Sequence, residues 1–140
     1  MSAREKRIHR LVDLRQKAVD RERAELVRAS QVVDQKKDAL VRAHEAWQEA
    51  ANNPDLSSVG SYQESWGYAD GLKRREANAV TQMKIAEIEE RKKRDKVKSA
   101  EIEKKKLEKL EEVIAQTALE EASRIERKQT DEFSGRKRPG

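Results

Sequence analysis

The sequence predicts an all-α protein, a two-helix antiparallel coiled-coil hairpin with long, unequal arms. Charged residues make up 42% of the 140 residues and aromatic residues only 4%, which is typical of long exposed helices rather than of a rounded core. Apolar residues recur at helical spacing on both sides of a short segment that contains Pro54. Two amphipathic helices with such a short connection most simply pack against each other in opposite directions.

The first helix is predicted over about residues 3–51, because an apolar residue stands at every seventh position through most of this range. A strict seven-residue repeat favours left-handed supercoiling around a partner helix, since it keeps one face against that partner. Residues 52–60 are predicted to form the turn, because Asn52 and Asn53 favour helix ends and Pro54 cannot continue a helix. The repeat consists of Val12, Val19, Leu26, Val33, Leu40 and Trp47.

The second helix is predicted over about residues 61–132, where a second apolar series follows the turn. Ser61 and Glu64 have the Ser-x-x-Glu spacing of a capping box, which places the start of the helix at residue 61. Gly67 and Gly71 weaken the first turns, so a start near residue 71 is the alternative.

The unequal arms predict how the helices pair and where the longer one stands alone. At about 1.5 Å of rise per residue in each arm, Ile8 is expected beside a residue between 104 and 113. Residues beyond about 115 are expected to project past the N-terminus, with an apolar stripe left for a protein partner or for self-association. The single coiled coil is predicted over residues 1–133, followed by a flexible basic tail over residues 134–140.

Composition disfavours several classes of protein. A disordered chain would share the high charge but would lack the apolar periodicity. No stretch approaches the roughly 20 apolar residues of a membrane span and no signal peptide is evident, so we expect a cytoplasmic protein. There is no cysteine, and His9 and His44 are far apart, so neither a metal site nor any other cofactor is expected. No phosphate loop or nucleophile motif points to an enzyme.

The formal net charge of +5 leaves two other functions open. Lysines and arginines between residues 89 and 106 allow binding to the phosphate backbone of a nucleic acid, but no asparagine stands there to read bases, and we expect no nucleic-acid partner. We interpret this stretch as a solvent-exposed helix that Glu/Lys pairs stabilise. A basic strip that docks onto a partner is the alternative. A structural coiled-coil dimer is the remaining possibility.

Four of the five aromatic residues gather around the predicted turn. We interpret them as a small plug that closes the hairpin end. Tyr68 and Leu72 are four residues apart, and in a second interpretation they share an exposed helical edge that makes the turn a contact point. The four are Trp47, Tyr62, Trp66 and Tyr68.

Both ends of the chain resemble one protein family. The first helix opens with Ile8-x-x-Leu11-Val12-x-Leu14-Arg15, and the second closes with Glu126-Arg-Lys128-x-x-Asp131-Glu132. These ends are similar to those of the flagellar export protein FliJ and of its injectisome counterparts, the YscO/SctO stalk proteins. The resemblance extends over the whole chain, since the length, the hairpin organisation and the aromatic turn also agree. It does not distinguish a flagellum from an injectisome.

The resemblance implies a central stalk of a type III protein export apparatus. Family members insert the end that bears both termini into the pore of the hexameric export ATPase. They present the opposite side to the cytoplasmic domain of the export gate, a membrane protein. Export chaperones are a further candidate partner. One stalk in a sixfold pore would make the ATPase sites inequivalent.

Two sets of site residues follow from this resemblance. The gate-facing edge would be Tyr68 and Leu72, with Trp66 as the alternative for the aromatic position. The stem that binds the ATPase would consist of Ile8, Leu11, Leu14, Arg15, Ile125, Lys128, Asp131 and Glu132.

Overall fold

The computed structural model describes residues 2–137, with side chains described up to residue 135. It contains two α-helices, α1 over Ala3–Asn52 and α2 over Val59–Lys137, joined by residues 53–58. The helices are 50 and 79 residues long. The prediction of an all-α helical hairpin with unequal arms is thus confirmed.

Serine side chains cap the first turn of each helix. Ser2 Oγ accepts a hydrogen bond from the backbone N–H of Glu5 at 3.1 Å. At α2, Ser58 Oγ accepts from the backbone N–H of Ser61 at 3.0 Å. Ser61 was the predicted cap, but it is the third residue of α2, because Ser58 already supplies the oxygen that a free N–H of the first turn requires. The helix therefore begins at Val59.

The far end of α2 also differs from the prediction. The helix continues to Lys137, beyond the expected end at residue 132, and no glycine in the described chain has a positive φ that would end it. Residues 134–137 of the predicted tail are therefore helical, while residues 138–140 lie outside the described residues. The extent of the single coiled coil stays a prediction.

The chain forms two compact units. Unit 1 combines Met1–Asp20 with Ser99–Gly140, and unit 2 comprises Arg21–Lys98. In unit 1 the first turn of α1 lies beside the stretch of α2 from residue 110 to 121. In unit 2, Glu25 contacts Lys93 and His44 contacts Glu76, so the residue numbers run in opposite directions along the two paired segments.

A narrow apolar seam forms the core of each unit. Every member of the predicted seven-residue repeat in α1 is buried or half-buried, which confirms that this face packs inward. A two-helix seam buries few side chains fully, and a buried valine or leucine contributes about 1.5–3 kcal/mol. The buried residues are Ile8 and Val19 in unit 1, and Val33, Ala69, Leu72, Ala86 and Val97 in unit 2.

Within unit 1, the pairing of the helices has the predicted register. His9 Nδ1 lies 3.4 Å from Glu111 Oε2, which places Ile8 beside the expected window of residues 104–113. Among the side chains described up to residue 135, Ala118 is the last half-buried one of α2, and it lines a groove with Ser2. Every side chain from residue 119 to 135 is exposed. We call residues 119–135 the overhang; its start lies close to the predicted position.

Two polar contacts join the paired segments of unit 2. Lys93 Nζ donates to Glu25 Oε2 at 2.8 Å, and this contact lowers the pKa of Glu25 and raises that of Lys93. His44 Nδ1 lies 2.8 Å from Glu76 Oε1; since an ionised carboxylate only accepts, Nδ1 is the donor. This hydrogen bond is the main cause of the lowered pKa of Glu76, and Lys73 at 3.4 Å adds to it.

The Glu76 contact predicts a loss of stability in acid. Because its folded-state pKa lies below the ordinary value of 4.5, ionised Glu76 stabilises the fold above that pH, and the contribution disappears as the pH falls through the lowered pKa. We expect Glu76→Gln to lower the free energy of unfolding near neutral pH and to differ less from wild type in acid. Urea titrations between about pH 7 and pH 3 measure this difference. A difference that stays constant over that range would contradict the prediction.

Two glycines inside α2 weaken the helix without an evident packing reason. Neither Gly67 nor Gly71 has a positive φ, and a Cβ at either position would meet no atom within 4 Å. We therefore expect Gly71→Ala to raise the free energy of unfolding by about 0.5–1 kcal/mol, measured by urea titration with circular dichroism. The matched reverse variant, Ala77→Gly on the exposed surface of α2, should lower it by a similar amount. An unchanged or less stable Gly71→Ala protein would refute this reasoning.

Candidate functional site

The predicted stem residues on α1 divide between the core and the surface. Ile8 is only 6% exposed, because it lies on the face of α1 that packs against α2. It therefore supports the helix pair and is not available to a partner, which corrects its assignment as a contact residue. Leu11, Leu14 and Arg15 are exposed. Leu11 and Leu14 are three residues apart and lie on neighbouring positions of the helix surface.

The predicted stem residues on α2 all lie in the overhang and are all exposed. Ile125, Lys128 and Glu132 recur at i, i+3 and i+7 and therefore share one helical face. The same face includes the half-buried Ile114 and Ala118. The line of apolar residues on this face thus passes from the region covered by α1 into the overhang, where Ile125 stands between the charged residues Glu121 and Lys128.

The structure does not bring the two halves of the predicted stem together. Residue 9 pairs with residue 111, so Ile125 lies more than a dozen residues further along α2 than the position beside Ile8. At about 1.5 Å of rise per residue this separation is roughly 20 Å. The stem therefore presents two patches, one on the outer surface of α1 and one on the overhang.

Charges of both signs accompany the apolar stripe of the overhang. Arg124, Arg127 and Lys128 line a shallow groove on α2, with Glu120 and Asp131 toward its two ends. Exposed charges of this kind contribute little binding free energy individually, but they set the orientation of a partner. The overhang therefore offers apolar contact area to a partner, and the pattern of its charges along α2 favours one orientation of that partner.

The predicted gate-facing residues do not form one exposed edge. Leu72 is 7% exposed and belongs to the core, whereas Tyr68 is 67% exposed. The exposed edge of Tyr68 with Leu72 is therefore wrong, because Leu72 lies on the face of α2 that packs against α1. Trp66 is exposed, but two residues along a helix correspond to about 200° of rotation, so Trp66 and Tyr68 lie on different faces.

The aromatic residues near the loop form two separate contacts rather than one plug. Trp47 is half-buried, with its ring 5.9 Å from that of His44 and with Lys73 Nζ 4.0 Å from its centroid. Tyr62 and Trp66 meet edge to face at 6.1 Å, and both are exposed. The four-residue spacing of Tyr62 and Trp66 places them together on the outside of α2.

Exposed apolar residues beside this second aromatic contact were missed in the sequence. Leu56 lies in the loop and Val59 begins α2, and both are largely exposed. The signal was the spacing of Val59, Tyr62 and Trp66, which share one helical face, but Val59 lies before the predicted start of the helix at residue 61.

The basic stretch of α2 carries ion pairs along its own helix. Four of the nine lysines and arginines between residues 89 and 106 pair with glutamates three or four residues away, at distances of 3.2–3.5 Å. This observation supports the interpretation of a solvated helix over that of a basic docking strip. The pairs are Lys92–Glu89, Arg94–Glu90, Lys104–Glu108 and Lys106–Glu103.

Two further kinds of feature are absent from residues 2–137. No group of three or more histidine or acidic side chains in this range is arranged to hold a metal ion. Neither helix, over its described length, has a stretch apolar and long enough to cross a membrane.

Comparison with known protein families identifies the family of this chain. The model of the flagellar FliJ protein family matches residues 4–138, which is nearly the whole chain. Comparisons with curated proteins and with solved structures gave no match. The matched range includes both helices and therefore both stem patches and the loop. The chain belongs to the flagellar FliJ family, whose members are export-related proteins.

Proposed function

We propose that this protein is the central stalk component of the flagellar type III export apparatus, inserted by its terminal end into the pore of the hexameric export ATPase. The family supplies the flagellar context. The observation that supports the stalk role is the line of apolar residues that runs from Ile114 and Ala118 to Ile125 in the overhang, where every side chain is exposed. An apolar face without an intramolecular partner fits a surface that another protein covers.

The composition of the overhang suits a contact of moderate binding free energy. Covering an exposed leucine or isoleucine contributes at most about 1.5–3 kcal/mol, and the stripe has few such residues. The charges of Arg124, Lys128 and Asp131 remain near water, where ion pairs contribute about 1 kcal/mol or less. Contacts of this strength orient the stalk and still allow it to exchange partners among the subunits of the ring.

The proposed effect on the ATPase follows from the mismatch between a single stalk and a ring of six subunits. A single stalk cannot present the same surface to six subunits, so it makes their nucleotide sites inequivalent. Any effect of the stalk on nucleotide binding implies an equal reciprocal effect of nucleotide on stalk binding. The stalk therefore acts on the ATPase cycle through differential binding, and the catalytic groups belong to the ring.

The loop end of the hairpin is the second contact in this proposal. It faces the cytoplasmic domain of the export gate, and Trp66 and Tyr68 are its exposed aromatic candidates. This arrangement places the protein in the cytoplasm, at the cytoplasmic face of the export apparatus. Export chaperones are a further candidate partner, and the stalk requires no cofactor.

The ATPase contact is tested by mixing the purified protein with its cognate export ATPase and measuring ring assembly and ATP turnover. We expect the protein to increase both. Leu14→Asp and Ile125→Asp should each raise the concentration needed for half of the effect by about tenfold, because each removes about 1.5 kcal/mol of apolar burial. Circular dichroism should show unchanged helicity, since Leu14 and Ile125 are 59% and 58% exposed.

Val27→Asp is the matched control for these two variants. Val27 is 56% exposed and lies in unit 2, outside both stem patches. It should leave ring assembly and ATP turnover unchanged. No response of the ATPase to the wild-type protein, or equal losses in all three variants, would refute the stalk proposal.

A further inference from the structure

An apolar patch is exposed on one side of unit 1. On α1, Leu11, Leu14 and Ala18 recur at i, i+3 and i+7 and therefore share one helical face. On α2, Leu110 and Val113 are three residues apart and also share a face. We call Leu11, Leu14, Leu110 and Val113 the side patch; their exposed fractions range from 43% at Leu110 to 59% at Leu14.

The two faces lie on the same side of the helix pair. Arg4 of α1 lines one groove with Leu110 and Val113 of α2. Leu11 is seven residues after Arg4, and residues seven apart return to nearly the same angle around a helix, so Leu11 lies on that side as well. Both helices therefore contribute to one exposed apolar surface, which neither of them covers.

The side patch is complementary to a second copy of itself. Leu11 and Leu110 are nearly level along the helix pair, since His9 of α1 lies 3.4 Å from Glu111 of α2. A twofold axis parallel to the helices sets α1 of one copy against α2 of the other and keeps the levels unchanged. Leu11 of each copy then meets Leu110 of the other copy.

The charges that flank the side patch are complementary under the same twofold axis. Arg4 lies on this side of α1, and Glu120, seven residues after Val113, lies on this side of α2. Among the residues that the structure describes, neither has an ion pair. The pairing of residue 9 with residue 111 separates their levels by about four residues, or roughly 6 Å, which an arginine side chain can span. The axis therefore brings Arg4 of each copy within reach of Glu120 of the other.

The other charges of α2 on this side do not oppose the contact. Glu103 and Lys106 stand seven residues before Leu110 and Val113, and they pair with each other at 3.2 Å. The charged residues of α1 on this side are Arg4 and Arg7, so α1 of a second copy would offer no carboxylate to them. This distribution favours α2 rather than α1 of the second copy as the neighbour of α1.

The size of this side of unit 1 suits a reversible dimer. Unit 1 includes residues 3–20 of α1, which extend over roughly 27 Å at about 1.5 Å per residue. Two helices side by side are about 20 Å wide, so each copy offers roughly 550 Å². A twofold dimer would bury on the order of 1,100 Å² in total, which lies in the range of weak, specific interfaces.

From these observations we infer that the free protein forms a twofold dimer through the side patch, with α1 of each copy against α2 of the other. The dimer does not depend on the proposed function, but it affects it. It covers Leu11 and Leu14, which belong to the predicted ATPase-binding stem. The stem residues of α1 are therefore accessible only in the monomer, and the dimer must dissociate before the chain can present them to the ring.

Sedimentation equilibrium of the full chain over a range of concentrations tests the dimer. We expect the mass to rise from one chain toward two, with a dissociation constant in the micromolar range. Leu110→Asp should raise that constant about a hundredfold, because a twofold dimer loses the side chain twice. Leu119→Asp is the matched control: Leu119 is 70% exposed and lies nine residues, or about 180°, around α2 from Leu110. It should leave the constant unchanged, and circular dichroism checks the helicity of both variants.

A pair of charge reversals tests the twofold arrangement. Arg4→Glu and Glu120→Arg should each weaken the dimer several-fold at low salt, because each sets like charges against each other across the interface. An equal mixture of the two single variants should restore association, since the twofold axis brings opposite charges together in the mixed dimer. Only a contact between chains can produce this recovery. A mixture that associates as weakly as the separate variants would overturn the arrangement.

The remaining outcomes separate the dimer from the stalk proposal. A wild-type chain that stays monomeric at high micromolar concentration would overturn the dimer. If Leu110→Asp then also weakened the effect on the ATPase, the side patch would belong to the contact with the ring, and the stalk proposal would stand. A dimer that Ile125→Asp dissociates and Leu110→Asp does not would place the contact on the overhang and overturn the inference. An ATPase that does not respond to the chain would refute the stalk and leave the dimer intact.

Discussion

The structure depends on one constraint: two helices can bury only the seam between them, and the seam ends where the shorter helix ends. In unit 1 the apolar stripe of α2 is covered as far as Ala118 and then continues without cover to Ile125. A third helix or a rounded core would have closed this surface. Here the length difference between α1 and α2 itself creates the exposed apolar face, and no special motif is needed.

The polar residues divide into those that hold the hairpin together and those that keep it soluble. Glu25, Lys93, His44 and Glu76 bridge the paired segments of unit 2, and they border a seam whose fully buried members are mostly valine, alanine and leucine. Several other cations pair with a carboxylate of their own helix. The remaining charge follows the local composition: residues 43–72 contain five acidic residues and no lysine or arginine, whereas the overhang carries charges of both signs.

Features that depend on the apolar periodicity could be predicted from the sequence. Features that depend on which of two neighbouring side chains makes a local contact could not. The repeat from Val12 to Trp47 predicted which face of α1 packs inward. The lengths of the two arms predicted that Ile8 lies beside a residue between 104 and 113. The start of α2 was misplaced because two serines compete for the same cap, and only the geometry of the loop decides between them. The apolar series of α2 begins at Leu72 and predicts its burial, whereas the exposed edge with Tyr68 rests on four-residue spacing and on the family resemblance, neither of which says which face packs inward.

The absence of tertiary contacts on the overhang also affects the affinity with which a partner can bind it. A helix without tertiary contacts is sustained only by its own hydrogen bonds and by neighbouring side chains, and isolated helices shorter than about 15 residues are marginal in water. Residues 119–135 are about that long and have no tertiary cover beyond the groove beside Ser2, although they extend a helix that is already nucleated. The helix–coil equilibrium of this segment is therefore part of its binding equilibrium. A partner that binds this segment must therefore also offset the conformational entropy that the segment loses on being held as a helix.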